Sequence, residues 1–150
     1  MSPNSAALTY RRVSTESAST VGLLIALYDT LIGDLQRAAT AMREGDIALR
    51  CRQLNHAFSI LTQLDCLIDS ENGGGTATQL RYFYEYLRKE MLRAQFVLDS
   101  EILRRAAFTL LDVREAWQQV ETRVDREPEF GGSRTAAAES RPAAPVSIHA

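Results

Sequence analysis

Proline is absent from the whole stretch between Pro3 and Pro128; the only others in this 150-residue chain are Pro142 and Pro145. Nothing between the first two forces a helix to break. Lysine is almost missing too, with Lys89 alone, and the arginines are scattered rather than clustered, for a net charge of -2. A nucleic-acid binder needs a basic patch to neutralise phosphates, so that class is excluded. The two cysteines, Cys51 and Cys66, fall on one expected helix, 15 residues apart. That spacing is about 22 Å along a helix, against the roughly 5.5 Å between Cα atoms that a disulfide spans. Both are expected as buried thiols in a reducing cytosol. Of the two histidines, His56 and His149, neither stands three residues after a glutamate, which removes the Glu-x-x-His signature of a bundle di-iron site. His56 is expected in a structural or surface role. No apolar run approaches the ~20 residues of a membrane span. The opening MSPNSAALTYRR has no apolar stretch between a basic flank and a cleavage site, so no signal peptide is read there. The expectation is a cytosolic protein with no membrane insertion.

What the chain does have is an excess of apolar helix surface. Val21, Leu24, Ile25, Tyr28, Leu31, Ile32, Leu35, Ala38 and Met42 form a complete stripe with the three- and four-residue spacing of a core-facing helix. Leu23, Ala26 and Leu27 are left over from it. A further part of the chain, or a partner, is expected to cover them.

Glycines and capping residues divide the proline-free stretch. Gly45 ends one helix and Asp46 caps the next, Gly73-Gly74-Gly75 makes a longer break, and Asp99-Ser100 offers another cap. Four helices follow, at about Ser19–Arg43, Asp46–Ile68, Thr76–Leu98 and Ser100–Arg126. The second carries Ile47, Cys51, Leu54, Phe58, Leu61, Leu64 and Ile68 on one seam. The third carries Leu80, Phe83, Tyr84, Leu87, Met91, Ala94 and Leu98. The fourth carries Ile102, Ala106, Leu110, Val113, Trp117, Val120 and Val124. Short connections make successive helices antiparallel neighbours. The fold expected is therefore all-α: an antiparallel up-down four-helix bundle over 19–126, with an N-terminal arm, 1–18, and a disordered C-terminal tail, 127–150. The tail is rich in Ala, Pro, Ser and Gly and has too few large apolar residues to order itself.

No chemistry-bearing constellation emerges. Asp65, Asp69 and Glu71 precede the glycines, but residues 74–80 lack the further oxygen ligands and closing glutamate of a calcium loop. The glycines lack the Lys-Ser/Thr and preceding strand of a phosphate loop. Neither cysteine has a C-x-x-C or histidine partner for zinc. No enzyme, cofactor or metal is expected. The richest remaining cluster is aromatic: Phe83 and Tyr84 fit the core seam, while Tyr82 and Tyr86 lie four apart on another face, as amphipathic cover or as part of a binding groove.

Taken in order, several short pieces resemble the flagellar secretion chaperone family, FliS. They are Tyr10; Ser17-Ala18-Ser19-Thr20, where the family has Thr-Ala-Ser-Pro; Leu27-Tyr28-Asp29; Asn55 and Ala57 with Ile60-Leu61; Gly73-Gly74 followed by Ala77 and Leu80; Tyr84-x-Tyr86-Leu87; Ala94, Asp99 and Leu103; and Arg114-Glu115-Ala116-Trp117. The resemblance runs from Tyr10 to Trp117. This chain departs from the pattern at Ser17 and Thr20, at Gly75-Thr76 where Glu-Ile is favoured, and at Arg105 where a glutamate is common.

The resemblance implies a cytosolic chaperone that binds the disordered C-terminal segment of flagellin, prevents its premature polymerisation and assists delivery to a component of the flagellar export apparatus. It further implies that the segment forms helices in apolar grooves, which the chaperone's own arm occupies when no client is bound. An amphipathic helix in a groove is held through i, i+3, i+4, i+7 anchors. Leu23 and Leu27 make one such strip, and burial of each is worth roughly 1.5–3 kcal/mol. Ile60, Leu64 and Leu67 make a second strip, or belong to the core of a wide bundle. Leu8 and Tyr10 are the natural temporary cover for Leu23 and Leu27, or a permanent one. Tyr82 and Tyr86 complete the candidate partner-binding set. The alternative is a homo-oligomerising helical-bundle adaptor, a homodimer built on the Leu23/Leu27 strip, with no flagellin client.

Overall fold

The computed structural model describes the backbone of residues 3–70 and 74–140, and the side chains of 5, 7, 8, 20–68 and 74–123. Four helices follow in order: α1 (Pro3–Glu44), α2 (Ile47–Ser70), α3 (Gly75–Val97) and α4 (Ser100–Ser140). Among the described residues there is no strand, and no helix is long and apolar enough to cross a membrane. The fold is the all-α, four-helix one expected. α1 and α4 run further than their sequence signals, into the stretches expected as arm and tail. Tyr10 and the side chains of 9–19 lie outside the described residues, as do the side chains from Val124 onward and all of 141–150.

The turns work as their residues dictate. Gly45 has φ +74, the left-handed conformation a glycine adopts without a Cβ penalty, and Asp46 N–H returns to the Ala41 carbonyl at 2.9 Å. Asp46 Oδ1 then accepts from Leu49 N–H at 3.1 Å, capping α2. At the α3–α4 turn Leu98 takes the left-handed position with φ 54, and Asp99 Oδ1 accepts from Glu101 N–H at 3.0 Å.

The chain divides into two compact units, Leu23–Trp117 and Met1–Gly22 with Gln118–Ala150. In the second of these, Val21 is buried, and a Cβ added at Gly22 would sit 3.8 Å from Glu121 Oε1. The first holds the core: Tyr28, Leu31 and Leu35 of α1, Leu54, Leu61 and Leu64 of α2, Tyr84, Leu87 and Met91 of α3, and Ile102, Leu103 and Leu110 of α4. Polar contacts fix the register. His56 Nδ1 meets Asp34 Oδ2 at 2.6 Å, and Arg37 Nε donates to Gln53 Oε1 at 3.0 Å. Those two pairs lie symmetrically about Gly45, as an antiparallel hairpin requires. Arg88 pairs with Asp65 between α3 and α2, and Arg114 with Asp29 between α4 and α1, Nη2 to Oδ2 at 3.2 Å. Asp34 is the buried charged residue of the core, and Arg37 Nη2 donates to its Oδ1 at 2.8 Å. His56 thus works structurally, as expected, by holding α2 against this carboxylate.

Several seam residues are not in the core. Cys51 and Cys66 are exposed, correcting the expectation of buried thiols. Cys51 lies roughly 80° round α2 from Leu61, on the side away from Ile60, and Cys66 further still. Ile47 is 63 % exposed and Leu98 62 %. One is the first residue of its helix and the other a cap, so neither has neighbours at its level. Val120 is exposed as well.

Tyr28 and Tyr84 join α1 to α3 through the middle of the core. Their hydroxyls lie 2.9 Å apart, one donating to the other, and their rings meet edge-on with centroids 6.3 Å apart. Burial pushes both hydroxyls above the ordinary value of 10.0; the Tyr28 hydroxyl further opposes ionisation of Tyr84, while the hydrogen bond with Tyr84 offsets part of the rise at Tyr28. The folded chain therefore keeps protons that the unfolded chain releases near pH 10, and stability falls as pH rises. Tm is expected to drop between about pH 9 and pH 11, and to drop less in the Tyr28→Phe/Tyr84→Phe variant, as a thermal melt series will show.

Candidate functional site

The structure separates the expected partner-binding residues into two groups. Leu27, Ile60 and Leu64 are 8 %, 4 % and 0 % exposed and belong to the core. For Leu27 this corrects the expectation of a spare strip; for Ile60 and Leu64 it selects the wide-bundle core, the other reading that their positions allowed. In a four-helix bundle each helix meets two neighbours and a diagonal, so its buried arc is wider than a single seam. Leu27 sits beside Leu24 and Leu31 on that arc, as Ile60 sits beside Ala57 and Leu61. Leu67 is half-buried and packs on the core. Leu23, Tyr82 and Tyr86 are exposed, at 48 %, 73 % and 46 %. Leu8, expected as cover, is itself 63 % exposed, and Tyr10 lies outside the described residues.

A concave apolar surface lies elsewhere among the described residues. A groove of about 350 Å³ runs between α1 and α4, lined by Gln36 and Thr40 on one side and Arg104, Ala107, Phe108 and Leu111 on the other. Phe108 is 72 % exposed and Leu111 41 %, so its apolar wall faces water. Arg104 stands at one end, its Nε 3.6 Å from Glu101 Oε1 in the first turn of α4. On the opposite flank of α1 a shallower depression of about 250 Å³ is lined by Gly33, Gln36, Arg37, Thr40 and Leu49. Gln36 and Thr40 border both.

Sequence reasoning missed Phe108 and Leu111, although the signal was present. Once Ile102, Ala106, Leu110 and Val113 had filled the α4 seam, Leu103, Ala107, Phe108 and Leu111 were left over, just as Leu23 and Leu27 were on α1. Of those four, Leu103 and Ala107 went into the core. Phe108 and Leu111 became the groove.

The site offers apolar area and one cation, and no reactive group. Among the described residues no cluster of three His, Cys, Asp or Glu is placed to hold a metal ion. The buried Asp34 carboxylate is engaged by Arg37 and His56. Phe108 and Leu111, over the buried Ala107, present a surface that suits an amphipathic helix lying along α1 and α4.

Comparison with known proteins places the chain in a family. The chain is 31 % identical over 116 residues to the flagellar secretion chaperone FliS of Salmonella typhimurium, covering 74 % of this chain and 86 % of the relative. It is 25 % identical over 115 residues to the protein of that name from Vibrio cholerae, covering 74 % and 85 %. To the flagellar secretion chaperone FliSB of Pseudomonas aeruginosa it is 28 % identical over 115 residues, covering 74 % and 91 %. The family model for the flagellar protein FliS matches residues 2–124, a span that takes in α2, α3 and every residue of the groove, and the chain belongs to that family.

Proposed function

We propose that this protein is a cytosolic flagellar export chaperone. It holds the C-terminal segment of flagellin as an amphipathic helix in the α1–α4 groove, keeps it from polymerising, and presents it to a component of the export apparatus. The observation that carries this is the exposed Phe108–Leu111 wall of a concave groove, in a chain whose family relatives are named flagellar secretion chaperones. Leu23 and Leu67 are available to a segment long enough to wrap further. Leu27, Ile60 and Leu64 support the fold beneath it. A client that is disordered when unbound loses conformational entropy on docking, which keeps the complex reversible and suits a carrier that must release its cargo.

Titration calorimetry of the full chain with the C-terminal peptide of its cognate flagellin tests this. Saturable binding is expected, with a negative heat-capacity change from apolar burial and a gain of helical circular dichroism. Absence of saturable heat with peptide at several hundred micromolar, well above the Kd of about 1 μM that −8.2 kcal/mol gives, overturns it.

A further inference from the structure

The outward side of α3 carries a second seam that the bundle does not use. Tyr82, Tyr86, Lys89, Arg93 and Phe96 succeed one another at alternating intervals of four and three residues. At 100° per residue they fall within an arc of about 80°, and they span about 21 Å along the helix. This arc lies opposite the buried Ala77, Tyr84, Leu87, Met91 and Ala94. Such spacing is what one helix shows to another in a knobs-into-holes pair. Tyr82 is 73 % exposed and Phe96 90 %, so both ends of the seam are aromatic surface in water. Its middle is cationic. Lys89 makes no ion pair among the described residues, while Arg93 donates to both carboxylate oxygens of Glu90 on its own helix, Nη2 at 2.7 Å and Nε at 3.2 Å.

We infer that this face docks a second partner, an amphipathic helix whose contact seam is apolar at the ends and acidic in the middle. Charge decides the occupant. A second copy of the chain, laid antiparallel so that Phe96 covers Tyr82, sets Lys89 against Lys89. A register shifted to avoid that faces Phe96 with Gln79, and a parallel pair opposes both cations to themselves. Like charges facing each other in a contact that excludes water disfavour it. A carboxylate at the centre of a different helix pairs with Lys89 and adds to the Glu90 contact of Arg93, while its apolar ends cover the aromatics. The face is on α3 and the groove lies between α1 and α4, so one partner is held without displacing the other.

The probes are two synthetic helical peptides of about 21 residues, long enough to span the seam at 1.5 Å per residue. Both carry leucine at the outer seam positions; one carries glutamate and the other lysine at the two central positions. In fluorescence anisotropy with the full chain at low salt, the glutamate peptide is expected to bind about tenfold more tightly than the lysine peptide. Phe96→Ala is expected to weaken it about fivefold, and Lys89→Glu/Arg93→Glu to reverse the preference. All three positions are exposed, and circular dichroism of each variant verifies the fold. Saturation with flagellin peptide leaves the glutamate-peptide affinity unchanged, so a chain that binds no flagellin peptide still gives a clear answer here. Equal affinity for the two peptides, indifference to Phe96→Ala, or competition by flagellin peptide overturns the inference. A wild-type dimer in sedimentation that Phe96→Ala abolishes overturns it in favour of a second copy.

Discussion

Phe108→Asp is expected to weaken binding of the flagellin C-terminal peptide about 30-fold, equivalent to about 2 kcal/mol, while Tm stays within a degree or two of the parent. The two halves of this expectation have different causes. Phe108 is 72 % exposed, so the folded chain loses little packing when it goes, and a surface substitution of this kind changes stability by about 0.5 kcal/mol or less. In the complex the same ring fills the guest's apolar face. An aspartate there removes that burial and leaves a carboxylate desolvated without a partner. Calorimetry alongside thermal melting reads both quantities from one preparation. An affinity within threefold of the parent would remove the groove from the client site and leave Leu23 and Leu67 as its remaining candidates.

Leu31→Ala should do the reverse. Leu31 is fully buried in the core-facing C-terminal half of α1, and truncating such a side chain costs about 2–5 kcal/mol through lost transfer energy and the cavity left behind. For a unit of this size that is a fall in Tm on the order of 10–20 °C. Leu23→Ala, eight residues earlier on the same helix but 48 % exposed, is expected to cost less than about 1 kcal/mol. Urea unfolding of the three proteins gives the comparison. If Leu23→Ala proved as damaging as Leu31→Ala, Leu23 would be a packing residue and not a surface one.

Those two leucines mark how much of the molecule is legible in its sequence. Gly45, Asp46 and Asp99 announce their turns because each supplies a property no neighbour offers: a left-handed conformation at no steric penalty, or a carboxylate for an orphaned N–H. The four helices and their core follow directly. What the sequence left ambiguous was the width of the buried arc. Periodicity locates its centre and says nothing about its edges, which depend on how many neighbours a helix meets. Hence Leu27, at one edge, reads as spare and is core, while Ile60, at another, reads equally as strip or core and is core. Cys51 was read as core and lies on an exposed shoulder. The groove escaped for a related reason. A concave surface belongs to two helices distant in sequence, and Gln36 and Thr40 carry no sign that Phe108 will stand across from them. The aromatic face of α3 was visible as Tyr82 and Tyr86, but the seam is completed by Phe96, about four turns along from Tyr82 on the outward side.

The groove also occupies a particular place in the order of assembly. The α1–α2 and α3–α4 hairpins close over turns of a few residues, whereas Asp29 meets Arg114 from 85 positions away. Bringing α1 and α4 together therefore carries the largest loop-closure penalty in the bundle. Local hairpins form ahead of such a junction and outlast it when the fold begins to open. The α1–α4 boundary is the suture along which the chain closes on itself, and the groove lies on it. A guest helix wider than the resting groove needs only the suture to ease, with both hairpins left whole.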